Sequence, residues 1–136
     1  MARNSFSAKT KISNSVQQHT ARRILAYAEE HYAGKYTRID VRFRGRYCYI
    51  DAYREPDIGF DYMPAGLTMS FEEYQEALRN TPTHLCRLGY IGNEFVWEFA
   101  FYTYSNEKYQ KCFLSNGSFF GTPEEAFETA AVYLKY

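Results

Sequence analysis

The sequence predicts an α+β domain in the order α-β-β-α-β-β-β-α, an antiparallel sheet with helices packed on one apolar face. Three observations carry this. Two runs flanking Gly45 alternate apolar and polar residues, the region from Thr83 to Ser115 contains three more strand-like runs, and three amphipathic segments each open on a Ser or Thr. The aromatic share of 19 %, with fourteen Tyr, eleven Phe and one Trp, favours strands. A chain of 136 residues makes one domain, able to bury roughly two thirds of the surface its unfolded form exposes.

Residues 1–12 read as a polar tail and 13–136 as the domain. The first helix is expected from Ser15 to Ala33, with Ser15 as N-cap, Gln18 closing a capping box and Gly34 as a left-handed stop. Tyr27, Thr20, His31, Ile24, Ala28, Ala21, Tyr32 and Leu25 share one arc of it, and Arg22 and Arg23 lie on the other.

Ile39, Val41 and Phe43 then alternate with Asp40, Arg42 and Arg44, and Cys48, Ile50 and Ala52 with Tyr47, Tyr49, Asp51 and Tyr53. Only an even-numbered loop at Gly45 makes one face wholly apolar. A Gly45-Arg46 loop opposes Asp40 to Asp51, whereas an Arg44-Gly45 loop sets Arg38 against Asp51 and Arg42 against Tyr47. Opposed like charges are destabilising, so the second register is expected.

Residues 55–69 form a long loop rich in Pro, Gly and apolar side chains, with Asp57 and Asp61 as its acids. Ser70 and Glu73 form a capping box for a second helix whose core stripe is Phe71, Tyr74 and Leu78, with Met69 placed as a staple against Tyr74. A meander follows, turning at Gly92-Asn93 and Asn106-Glu107. Two-residue turns there place His84, Cys86, Leu88, Tyr90, Phe95, Trp97, Phe99, Phe101, Cys112 and Leu114 on one face, and pair Arg87 with Glu98 on the other. After a closing loop, Thr122 caps the last helix, with Pro123 at its first position and Glu125 at its third.

Charge is segregated along the chain. Residues 1–54 hold eleven Lys/Arg against four Asp/Glu, and residues 55–136 hold five against twelve, so a neutral protein is +7 on one side and −7 on the other. Capping explains Glu73, Glu124 and Glu125, but nothing local explains the basic hairpin. Its outer face interleaves Arg38 and Arg42 with Tyr47, Tyr49 and Tyr53, with Arg44 and Arg46 near the tip. Single-stranded nucleic-acid binders use that combination, guanidinium groups holding phosphates while rings stack on bases.

Motifs of familiar chemistries are mostly missing. There is no Walker loop, dinucleotide fingerprint or Gly-x-Ser-x-Gly. Cys48, Cys86 and Cys112 all fall on predicted inward faces, as reduced cysteines do in a cytosolic protein, without paired zinc-ligand spacing. Arg44-Gly45-Arg46-Tyr47-Cys48-Tyr49 opens like the RNP1 signature and then departs from it. No apolar run approaches the roughly 18 residues that span a bilayer. The Ser- and Arg-rich stretch before Glu29 has the composition of a transit peptide, but a short polar tail is the preferred reading, because the helix that follows has a core face.

The leading expectation is therefore a cytoplasmic, non-enzymatic binding module without cofactor or metal. It takes nucleic acid or another polyanion through Arg22, Arg23, Arg38, Arg42, Arg44, Arg46, Tyr47 and Tyr49. The rival is a homodimerising or protein-interaction module that uses Tyr-rich outer sheet faces. A third reading places a small-ligand pocket or enzyme site under the 55–69 loop, recognisable by Asp57, Asp61 or His84 beside a polar partner.

Overall fold

The computed structural model describes residues 11–59 and 63–135. Helix α1 (Asn14–Tyr32) leads into the hairpin β1 (Arg38–Arg44) and β2 (Tyr47–Tyr53), then helix α2 (Phe71–Arg79). Strands β3 (Thr83–Tyr90), β4 (Trp97–Thr103), β5 (Lys108–Lys111) and β6 (Phe120–Gly121) follow, and the chain closes with α3 (Pro123–Ala130) and a 3-10 turn, Ala131–Leu134. All strand pairs are antiparallel, in the order β1-β2-β3-β4-β5, with the short β6 also on β4. The predicted α+β architecture is thus present, with β6 as an addition inside the expected closing loop. No helix among the described residues is long and apolar enough to cross a membrane.

Local chemistry sets the helix ends. The capping boxes at Ser70–Glu73 and Thr122–Glu125 both form, each with reciprocal side-chain and backbone bonds. Helix α1 starts earlier than predicted: Ser13, not Ser15, is its N-cap and accepts from the Val16 amide. Ile12, read as tail, is consequently buried in the core. Gly34 does take a left-handed φ of +87°.

The core lies between one sheet face and the helices α1 and α3. Thr20, Ile24, Ala28 and Tyr32, four apart, are the buried stripe of α1, narrower than the predicted arc because Leu25 faces solvent. They meet Ile39, Cys48, Ile50, Ala52, Cys86, Leu88, Trp97 and Phe99 from the sheet, and Ala126, Phe127, Ala130 and Leu134 from the C-terminal segment. Alanines on α3 let that helix come close to the sheet. Helix α2 is peripheral: none of its residues is buried, so the stripe of Phe71, Tyr74 and Leu78 is only half-covered, and the intended staple Met69 is exposed.

Glu128 ties the two core helices together, accepting hydrogen bonds from the hydroxyls of Tyr27 and Tyr32, each at 2.7 Å. The Glu128 bond, then burial, pushes the Tyr27 pKa up to about 12, and the two hydroxyls hold Glu128 below the usual carboxylate range. Since the folded pKa of Tyr27 exceeds its unfolded value of 10.0, its contribution is complete below about pH 10 and is lost as pH rises toward about 12. Thermal unfolding across that window is therefore expected to show a larger fall in Tm for the wild type than for Tyr27→Phe. Parallel losses would count against this bridge.

Three registers differ from the predicted ones. Gly45 and Arg46 form the hairpin loop, so Asp40 does lie opposite Asp51, Arg38 opposite Tyr53 and Arg42 opposite Tyr49. Gly45 has a φ of +60° and Arg46 does not share a positive φ, the pattern of a type II′ turn, which matches strand twist; an Arg44-Gly45 loop would need the turn that splays strands. The like-charge contact is relieved sideways, by Arg38 at 3.8 Å from Asp40 and Arg42 at 2.8 Å from Asp51.

In the meander, Tyr90 pairs with Trp97 and Thr103 with Lys108, so both turns are longer than the two residues expected. At the first, the Asn93 side chain accepts from the Phe95 amide and widens the loop, leaving Phe95 exposed rather than inward. At the second, Glu107 adopts a φ of +53°. Arg87 consequently faces Ala100, and Glu98 pairs instead with Lys111 at 3.1 Å. Because each shift is by two, Trp97, Phe99 and Leu88 keep their core face. Strand β5 ends at Lys111, and Cys112 beyond it is exposed, not inward.

Candidate functional site: the open sheet face

Helices α1 and α3 occupy one face of the sheet; the other carries Arg38, Arg42 and Arg44 from β1, Tyr47, Tyr49, Asp51 and Tyr53 from β2, and Arg87 from β3. Tyr102 of β4 and Tyr109 of β5 continue it. A β-bulge adds His84. The β2–β3 register slips between Ile50 and Asp51, so Ile50 pairs with Cys86 while Asp51 pairs with His84, and Leu85 is the extra residue. Leu85 and Cys86 are both fully buried, and His84, predicted to point inward beside Cys86, is turned to the face of Asp51. The bulge also interrupts the ladder at the His84 backbone, whose amide donates to the Tyr104 hydroxyl at 2.7 Å.

Asp51 is 2 % exposed, unusual for a carboxylate on an otherwise accessible face. Both of its oxygens are used: Arg42 Nη2 donates to Oδ2 at 2.8 Å, and His84 Nδ1 donates to Oδ1 at 2.9 Å. Partial burial works against the charge on Arg42, but Asp51 outweighs it and raises the guanidinium pKa. Rings close over the carboxylate. Tyr109 stands edge-on to Tyr49 and Tyr102, with centroids at 5.4 and 4.9 Å, and His84 lies 4.8 Å from Tyr102. Burial first, and then Asp51, raise the Tyr109 pKa.

Guanidinium groups lie on these rings. Arg87 sits 4.1 Å from the Tyr47 centroid and 5.5 Å from that of Tyr109, Arg46 lies 5.1 Å from Tyr47, Arg42 5.3 Å from Tyr49 and Arg38 4.0 Å from Tyr53. Arg46 also donates to the Tyr47 hydroxyl and the Tyr90 carbonyl, passing beside Gly89. Arg38, Arg42 and Lys111 each face a carboxylate. Among the described residues, Arg44, Arg46 and Arg87 form no ion pair with one, which leaves the unmatched positive charge around Tyr47.

The remaining predicted residues fall elsewhere. Arg22 is exposed on α1, and Arg23 grips Glu124 of α3 with two bonds of 2.8 and 2.6 Å, both on the layer behind the sheet. The predicted set is thus brought together at Arg38, Arg42, Arg44, Arg46, Tyr47 and Tyr49, and divided from Arg22 and Arg23. Cys48 and Cys86 are buried on the opposite face from His84, their thiol pKa values raised by burial. Among the described residues no group of three or more His, Cys, Asp or Glu is arranged to hold a metal ion. Asp57 lines a shallow cleft with Arg54, Glu55, Leu78 and Thr83, while Asp61 lies outside the described residues.

Arg87, Tyr102 and Tyr109, expected on the outer face of the meander, join the site although the predicted binding set did not include them, and the pairing of Asp51 with His84, which was expected to face inward, is what the alternation missed. The available signal was Leu85 next to Cys86, two apolar neighbours inside an alternating strand, which is how an inserted residue presents itself.

Fold and face together define an α+β domain with one sheet face covered by helices and the other lined by arginine and tyrosine. No family model matches this chain, and no curated protein or solved structure matches it.

Proposed function

We propose that the open sheet face binds single-stranded nucleic acid. One observation carries the reading: Arg44, Arg46 and Arg87, unmatched by carboxylates, surround Tyr47 at one end of a row of rings that continues through Tyr49, Tyr109 and Tyr102. Phosphates would meet the guanidinium groups and bases would stack on the rings, a mode that needs no sequence readout. A duplex, whose bases are already stacked, would gain only the charge term.

The test is a fluorescence-anisotropy titration of single-stranded and duplex oligonucleotides at several salt concentrations. Binding is expected to favour the single strand and to weaken with salt. Arg87→Ala should flatten the salt slope by about 0.7 for each phosphate that the guanidinium no longer neutralises. Tyr47→Ala should weaken affinity by roughly 1–3 kcal/mol with the slope unchanged. Absence of salt-dependent binding at low ionic strength would overturn the reading.

A further inference from the structure

The Asp51–His84 pair is more than a contact between neighbouring strands. Asp51, acceptor-only when ionised, accepts a hydrogen bond from His84 Nδ1–H; with the proton kept on Nδ1, the lone pair of a neutral imidazole lies on Nε2. No atom of the described residues hydrogen-bonds Nε2, and the His84 side chain is one-third exposed on the open face. The same carboxylate holds Arg42, whose half-exposed guanidinium gives Asp51 one nitrogen and keeps other N–H donors free. A base with a fixed tautomer, a cation beside it and ring platforms around it are what strand cleavage by an internal hydroxyl requires.

We infer that His84 is a general base for cleavage of single-stranded RNA by its own 2′-hydroxyl, with Asp51 as its positioning residue and Arg42 meeting the phosphate. His84 Nε2 takes the 2′ proton as the 2′ oxygen bonds to phosphorus. The bond from phosphorus to the 5′ oxygen breaks, and the leaving oxygen takes a proton from water. The products are a 2′,3′-cyclic phosphate and a 5′-hydroxyl, and His84 releases its proton to solvent. Neither metal nor redox partner enters the balance. The bulge at Leu85 makes this possible, since an unbulged β3 would place Leu85 opposite Asp51.

The inference rests on the binding reading above, and the experiment separates the two. Binding is measured with 2′-O-methyl RNA, which has no nucleophile, and cleavage with the matching RNA in the presence of a chelator. Fragments should end in 2′,3′-cyclic phosphate, and a single 2′-deoxy substitution should block cleavage at that site alone. His84→Ala, prepared in parallel and compared at RNA concentrations that saturate each protein in the 2′-O-methyl RNA titration, should cut at least about 100-fold more slowly, the lower bound of what a positioned base contributes. If 2′-O-methyl RNA binds but RNA stays intact, the inference falls and the binding reading stands; if neither binds, both fall. Cleavage undiminished in His84→Ala also overturns the inference, and the 2′-deoxy substrate tests it in wild type however that variant folds.

Discussion

Phe127→Ala is expected to lower stability by about 3–5 kcal/mol, the range for truncating a fully buried aromatic side chain. Phe127 is fully buried on α3, its ring 6.1 Å from that of Tyr27 and 5.7 Å from that of Tyr32. Those rings cannot easily move into the space it leaves, because their hydroxyls are anchored on Glu128, one residue along the same helix. Ala126, Ala130 and Ala131, buried along the same segment, are too short to fill it. The cavity therefore stays open, and the cost sits at the upper end for a truncation. Urea unfolding followed by the fluorescence of Trp97, itself fully buried and the only tryptophan, measures it. Phe127→Leu should cost less than half as much; a loss below about 1.5 kcal/mol for Phe127→Ala would mean that the two helices repack.

What the sequence made legible was local. Ser70–Glu73 and Thr122–Glu125 announce helix starts because a capping box is completed within four residues, and both form. The hairpin alternation survives because Ile39, Ile50 and Ala52 must share one buried face whatever the register. Register itself depends on distant partners. Opposition of Asp40 and Asp51 looks costly when only that pair is considered; Arg38 and Arg42 beside it relieve the charge, and His84, on a third strand 33 residues away, occupies the second oxygen of Asp51. Cys112 falls inward only if the alternation is extended past the point where β5 stops pairing. Arg23 resembles part of the basic surface because its partner, Glu124, is 101 residues away in sequence. The Arg38–Arg46 part of the predicted surface was visible because a hairpin is local; Arg87, Tyr102 and Tyr109 complete it only through strand pairing.

Asp51 separates a structural role from a chemical one. Asp51→Ala removes two charge-assisted hydrogen bonds at a site with almost no solvent, yet the groups left behind are not stranded: the Arg42 side chain is 51 % exposed and that of His84 33 %. Both can turn to water, so the expected loss is about 2 kcal/mol, below the roughly 3–5 kcal/mol for breaking a wholly buried pair. The same change in an Arg42→Met, His84→Ala background should cost markedly less, since interacting residues are not additive. Equal costs in the two backgrounds would show that Asp51 acts through packing alone. Asp51→Asn is the sharper variant. Its amide presents one oxygen and one NH2 group, and Arg42, a donor in every state, takes the oxygen. The NH2 then faces His84 Nδ1, which must become the acceptor, so the imidazole proton moves to Nε2. Stability should fall by only about 1 kcal/mol, while nitrogen chemical shifts of His84 report the opposite tautomer. With its lone pair turned inward, His84 would no longer act as a base toward a ligand on the open face. RNA cleavage should therefore disappear in a protein that still folds and still binds 2′-O-methyl RNA, a combination that a purely structural Asp51 would not produce.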